Sequence, residues 1–236
     1  MVDQRAFTCC AILGGASFLM VMVLLVVYPM QIPSAETAFL PPALALQFAT
    51  TAEQIASIFG PPGTAQRANI VQSMSNGNTA DYVFMGLYAL FLAAFFHGQV
   101  LKTELRAWWS VLPMIVVVLV FDILENQVLD RIIAAPNSAL IGRHIGALQL
   151  FTWGKWSTLA VVSAVAAMAF IARGSFVLGA LCLPPLLLVL PAYKSPGTSA
   201  VYLVLAVGLS WIVMLAHAIK RSILKGTPPA LVHDRV

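Results

Sequence analysis

Asp122, Glu125 and Asn126 stand at i, i+3 and i+4 near the end of an apolar run that begins at Trp108. That spacing turns all three polar groups off one face of a helix. The run is long enough to cross a bilayer, where a carboxylate is costly unless it meets protein, water or an opposite charge. Lys155, inside the next long apolar run, is the charge in reach. A carboxyl beside a lysine in such a setting is a candidate acid/base pair. It is equally a candidate step in a proton or cation relay.

Helical rise places these groups. If the third span enters near Trp108, Asp122 lies about 21 Å along it, roughly 9 Å below the far edge of a ~30 Å hydrocarbon core. The fourth span returns from about Leu148, which puts Lys155 about 10 Å below the same edge. The two therefore share a level on consecutive antiparallel spans. The expectation is an Asp122–Lys155 or Glu125–Lys155 ion pair, since an unpaired buried charge is driven toward neutrality. In catalytic terms, Asp122 or Glu125 is the general acid/base, and Lys155 orients it or stabilises negative charge.

Other polar groups gather at that level. Asp81 opens the second span, with Met85 and Tyr88 at i+4 and i+7, and the Tyr88 hydroxyl reaches the same depth. Asp81 also has a plainer reading, a carboxylate favoured by a helix N-terminus. Gln149, Thr152, Trp153 and Trp156 surround Lys155, with Gln149, Thr152 and Lys155 on one stripe. Asp81, Tyr88, Asn126, Thr152 and Trp156 are thus the candidate ligand-binding residues. One lysine cannot neutralise Asp81, Asp122 and Glu125 together. The structural alternative is a polar network that only fixes helix register.

Composition sets the class of the molecule around these residues. The chain has 236 residues, 60% hydrophobic and 9% charged, with a mean hydropathy of +0.90. Soluble domains carry roughly 25% charged residues. The expected fold class is all-α, a polytopic helical bundle with six transmembrane helices. The alternating ten-residue segments of a transmembrane barrel are missing. The net charge of +4 comes from basic residues scattered at the ends of apolar runs, so nucleic acid is not an expected partner.

In chain order, Ala6–Tyr28 is the first span. It resembles a signal peptide in outline but is longer than such an apolar region, so a retained span is expected. Gly14, Gly15 and Ala16 in it read as close helix packing. Gln31–Asn78 is an extramembrane segment. Between its proline pairs, Leu44, Phe48, Ile55, Ile58 and Phe59 predict one amphipathic helix on the membrane surface, either a cap or a lid. A short helix over Thr64–Met74 follows, with Ile70, Val71 and Met74 inward. Ser75–Thr79, reading Ser-Asn-Gly-Asn-Thr, is then a loop.

The second and third spans are Ala80–Leu101 and Trp108–Leu129, joined by a charged turn with Lys102, Glu104 and Arg106. Asp130–Arg143 is a connection broken at Pro136-Asn137. The fourth span is Ile145–Ala172. The fifth, Ser175–Ala192, is kinked or broken by Pro184-Pro185. Thr198–Ile219 is the sixth, and Lys220–Val236 is a mobile cytoplasmic tail. The whole chain is read as one integral membrane domain.

With the N-terminus inside, the inner segments hold eight cations: Arg5, Lys102, Arg106, Arg173, Lys220, Arg221, Lys225 and Arg235. The outer segments hold four: Arg67, Arg131, Arg143 and Lys194. That bias predicts cytoplasmic termini in a multi-pass protein of the cell membrane. Cys9, Cys10 and Cys182 are small apolar residues without ligand spacing. His97 and His217, at equal depth near the inner side, are interface residues in preference to haem ligands. HExxH, GxSxG and P-loop signatures are missing, and no metal or cofactor is called for.

Three functions follow from this pattern. The first is a site in the outer leaflet that binds or modifies a lipid-like small molecule, with Asp122, Glu125 and Lys155 as its polar floor. The second is a structural or accessory subunit with a partner membrane subunit. The third is a proton-coupled transporter, which the apolar stretch Met114–Phe121 below Asp122 disfavours.

Overall fold

The computed structural model describes residues 2–29, 41–103, 106–135 and 138–223. Its helices are α1 (Val2–Val27), α2 (Pro42–Phe48), α3 (Ala52–Phe59), α4 (Ala65–Thr103), α5 (Val111–Ile133), α6 (Ser138–Ile171), α7 (Phe176–Cys182), α8 (Pro184–Lys194) and α9 (Pro196–Ile223). A 3₁₀ turn over Arg106–Ser110 leads into α5. Six of these stretches are long and apolar enough to span a bilayer: Gln4–Val27, Ala65–Leu101, Trp108–Ile133, Ala139–Ile171, Phe176–Lys194 and Pro196–Ile223. The chain is an all-α, multi-pass integral membrane protein. Its outward faces carry the side chains such a setting wants, among them Leu19, Val26, Val116, Leu150, Leu187 and Leu205.

α4 packs between α1 and α5, α6 lies against α5, and α9 closes the bundle against α1, α6 and α8. Gln4 Nε2 donates to the Ser222 carbonyl at 2.8 Å, so the first span begins where the last one ends. Gly14 lets α1 approach closely: a Cβ there would stand 2.9 Å from Phe91 and from Leu215. The proline pair acts as expected. α7 stops at Cys182, and Pro185 follows Pro184 at the start of α8, where missing amide protons cost least.

Four boundaries differ from the sequence reading, each for a physical reason. The stretch Ser75–Thr79 is not a loop but the middle of α4. Two of its loop-like residues serve contacts between helices. Gly77 leaves room for the Tyr28 ring, which a Cβ would meet at 2.4 Å, and Asn78 bonds to α5. For the same reason the short helix over Thr64–Met74 does not end there. The Thr64 hydroxyl caps α4 by accepting from the Arg67 amide at 3.2 Å.

The amphipathic segment forms two helices instead of one. The chain is extended at Ala49, and Thr51 restarts it through a reciprocal capping box with Gln54. Phe48, Ile55, Ile58 and Phe59 are buried as the periodicity implies. Finally, most of Asp130–Arg143 is helical: α5 runs on to Ile133 and α6 begins at Ser138. Buried Ile132 and Ile141 supply the packing that extends both helices. Residues 31–40, Glu104, the Pro136-Asn137 breaker and the tail beyond Ile223 lie outside the described residues, as do the side chains of Lys102 and Arg106.

Two apolar cores result. The larger runs through Phe7, Phe91, Phe95, Phe170 and Trp211. The smaller joins Ile55, Ile58 and Phe59 of α3 to Met74, Leu129, Ile132 and Leu148. Along α5, Val118 belongs to the first and Val128 to the second. Along α6, Leu148 belongs to the second and Leu159 to the first. Asp122, Glu125, Thr152 and Lys155 occupy the interval between them.

Candidate functional site: a polar layer between two cores

α5 and α6 run antiparallel and supply the centre of this layer. Lys155 Nζ lies 2.9 Å from Asp122 Oδ1 and also donates to Glu125 Oε2. The Thr152 hydroxyl, one turn before Lys155, donates to Glu125 Oε1. From α4, the Tyr88 hydroxyl donates to Asp122 Oδ2 at 2.6 Å. All four carboxylate oxygens of Asp122 and Glu125 therefore have a donor, and hydrogen bonds to charged groups are among the strongest a protein makes. Glu125 and Thr152 are 0% exposed, Asp122 4% and Lys155 5%. The ammonium also lies 5.5 Å from the centroid of the Trp156 ring.

A second ring of contacts leads from this centre toward the start of α4. Asn126 Nδ2 donates to Asp81 Oδ2 at 3.0 Å. Asn78 Nδ2 donates to the Asn126 carbonyl at 3.0 Å and to Asp130 Oδ1 at 2.6 Å. Each of the eight residues singled out from sequence thus has a polar or ring contact within the layer or its rim. Asp122, Glu125, Lys155, Tyr88 and Thr152 are brought together directly, while Asp81 joins them through Asn126.

The layer has a cover. Gln149 Nε2 donates to the Ala49 carbonyl at 2.6 Å, and the Thr152 hydroxyl lies 3.3 Å from the Gln47 carbonyl. Both acceptors belong to the end of α2, where the helix unravels and its carbonyls lose their own partners. Phe48 sits over Trp153 and Trp156, with ring centroids 5.3 Å and 5.9 Å apart. Behind this cover is a small cavity of about 10 Å³, lined by Tyr28, Ala43, Leu46, Gln47, Met74, Asn78, Leu129 and Ile133. Gln47 Oε1 and Asn78 Oδ1 are buried without a partner among the described residues. A space of that size takes about one water molecule.

Sequence reasoning missed Asn78, Gln47 and Asp130. Asn78 was legible in principle, since residues 78, 81, 85 and 88 share one helical face once Ser75–Thr79 is read as helix. Gln47 acts partly through its backbone, which leaves no trace in side-chain type. The two histidines are held apart by different neighbours. His97 packs on Trp109, with centroids 5.2 Å apart, and His217 sits among Phe7, Phe95 and Phe170.

The chain matches no protein-family model, no curated protein and no solved structure. Two carboxylates and one ammonium, all desolvated, leave an excess of acid that Asp81 enlarges. Such a centre can exchange a proton internally or hold a polar group that enters from the side of α2.

Proposed function

We propose that the polar layer binds the head of a lipid-like small molecule and that the α2–α3 segment lies over it as a lid. The observation that carries the reading is the latch. Gln149 of α6 holds the carbonyl of Ala49, and the Thr152 hydroxyl, whose one proton goes to Glu125, lies 3.3 Å from the carbonyl of Gln47. Breaking those contacts frees the cover and uncovers Glu125 in one movement. The gap beside Gln47 and Asn78, with two amide oxygens unpaired among the described residues, leaves polar groups under the cover for a ligand to meet.

In this reading Glu125 accepts or gives a proton, and Lys155 stabilises negative charge beside it. Asp122, held by Tyr88, keeps Lys155 in place. Asp81 and Asn126 extend the polar surface toward the rim, and Trp156 supplies a ring to the ammonium. The eight-to-four bias of cations in the sequence supports a cytoplasmic opposite end and a layer in the outer leaflet of the cell membrane. Transport draws little support from the packing. Toward the opposite end, α5 buries Val118 and Ile115. α6 buries Leu159, Val162, Ala166 and Phe170, with Ser163 tied to Ser210 at 3.0 Å.

A structural role, as an accessory subunit whose layer only fixes helix register, is the second reading. It is favoured by the complete pairing of the Asp122 and Glu125 oxygens inside the chain. Native mass spectrometry of gently extracted protein separates the two. The lipid reading expects a bound amphiphile on the wild type that is lost from Thr152→Val and from Lys155→Met. An unliganded wild type, or an amphiphile that both variants retain, sinks it.

A further inference from the structure

The far end of the bundle carries a second group of unpaired polar atoms, on residues separate from the polar layer. α6 ends in a tight turn: the Gly174 amide donates to the Ile171 carbonyl at 2.9 Å and the Ser175 amide to the Phe170 carbonyl at 3.0 Å. Gly174 adopts the left-handed conformation (φ 72°) that this closure needs. Arg173 is thereby fixed at the helix end. Its Nη1 and Nη2 are both buried, and neither has a hydrogen-bond partner among the described residues. A desolvated guanidinium without an acceptor is costly.

A second guanidinium stands beside it. The Phe170 and His217 rings are in contact, with centroids 5.1 Å apart. Arg173 lies in the turn three residues past Phe170, and Arg221 lies on α9 one turn past His217, near enough for its charge to act on Arg173. Burial and the neighbouring Arg221 charge both lower the Arg173 pKa from its usual value. None of the carboxylates whose side chains are described is at this end; Asp3, in the first turn of α1, is not among them. Glu53, Asp81, Asp122, Glu125 and Asp130 all sit on α3, the first half of α4 and the second half of α5. From Lys155 to the end of α6 is about 24 Å, so the polar layer does not reach this pair.

We propose that Arg173 and Arg221 bind the phosphate of an anionic phospholipid headgroup at the end of the bundle opposite the carboxylate layer. The chemistry is that of paired guanidiniums, planar donors suited to two phosphate oxygens at once. A lipid is the favoured source because α6 and α9 are bilayer-spanning helices that end here, at headgroup level. The inner leaflet is also where anionic lipids meet a positively charged face.

The test uses full-length protein in nanodiscs of mixed phosphatidylglycerol and phosphatidylcholine, read by native mass spectrometry after release. Wild-type protein should retain phosphatidylglycerol in preference to phosphatidylcholine. Arg173→Gln with Arg221→Gln should lose that preference by about tenfold, the scale of a lost charge-assisted hydrogen bond. Arg221→Gln alone, which leaves the closing turn of α6 untouched, reads the same site where the double variant fails to fold. Equal lipid retention by wild type and the variants overturns the proposal. So does stabilisation by inorganic phosphate with no preference between the two lipids, which would make the site one for a free anion.

Discussion

Asn78 and Asn126 reach across α4 and α5 to each other's backbone. Asn78 Nδ2 donates to the Asn126 carbonyl at 3.0 Å, and Asn126 Nδ2 points back to the Asn78 carbonyl at 3.4 Å. Both residues are buried, at 1% and 0% exposure. The clasp joins the two helices at the rim of the polar layer and positions Asn126 to hold Asp81. Replacing Asn78 with Leu leaves the Asn126 carbonyl and Asp130 without this donor. The expected loss is about 1–3 kcal/mol, read as a lower unfolding temperature in detergent.

Gly77→Ala tests the close approach beside that clasp. In an open helix the change would stabilise by about 1 kcal/mol. Here the new methyl collides with the Tyr28 ring, and overpacking costs about 1–3 kcal/mol. Alanine should therefore destabilise the wild type but stabilise a Tyr28→Ala background. A thermal-melt double-mutant cycle reads the change of sign.

The lysine at the centre predicts a different signature. Lys155→Met leaves two buried carboxylates facing each other, and breaking such a pair costs roughly 3–5 kcal/mol. Adding Asp122→Asn and Glu125→Gln removes the stranded charge. The triple variant should therefore melt at a higher temperature than the single one. If the triple melts lower, Lys155 does not serve to balance those two acids.

The latch predicts local behaviour. Gln149→Ala removes the donor to the Ala49 carbonyl and also frees the Trp153 indole, which donates to Gln149 Oε1 at 2.9 Å. Hydrogen exchange across residues 42–59 should speed up by about fivefold or more, the equivalent of losing one hydrogen bond of ~1 kcal/mol. Exchange in the middle of α9 should stay as it was.

Much of this arrangement was legible in the residues. Asp122, Glu125 and Lys155 announced themselves because charge inside an apolar run has few explanations, and helical rise alone put them at one depth. Tyr88 followed from the same count. The proline pair at Pro184-Pro185 fixed a break because it acts through covalent geometry.

The failures came where a residue type has two uses. Asn76, Gly77 and Asn78 read as a turn, but a small residue such as Gly77 and an amide such as Asn78 also suit a site where helices touch, and tertiary contacts decided it. The separation of α2 from α3 hinged on Thr51 and Gln54, a capping box that the apolar periodicity on either side obscured. The role of the Gln47 and Ala49 carbonyls was invisible, since every residue carries that group.

Photoaffinity labelling tests the lipid reading most directly. Wild-type protein in nanodiscs would be irradiated with an amphiphile that carries a diazirine beside its headgroup, and the adducts mapped by peptide mass spectrometry. The account predicts adducts on residues 42–49 and 149–156, suppressed by unlabelled lipid and by Thr152→Val. Labelling confined to outward-facing positions such as Leu19, Val116 and Leu205, unchanged by either competitor or variant, would contradict it.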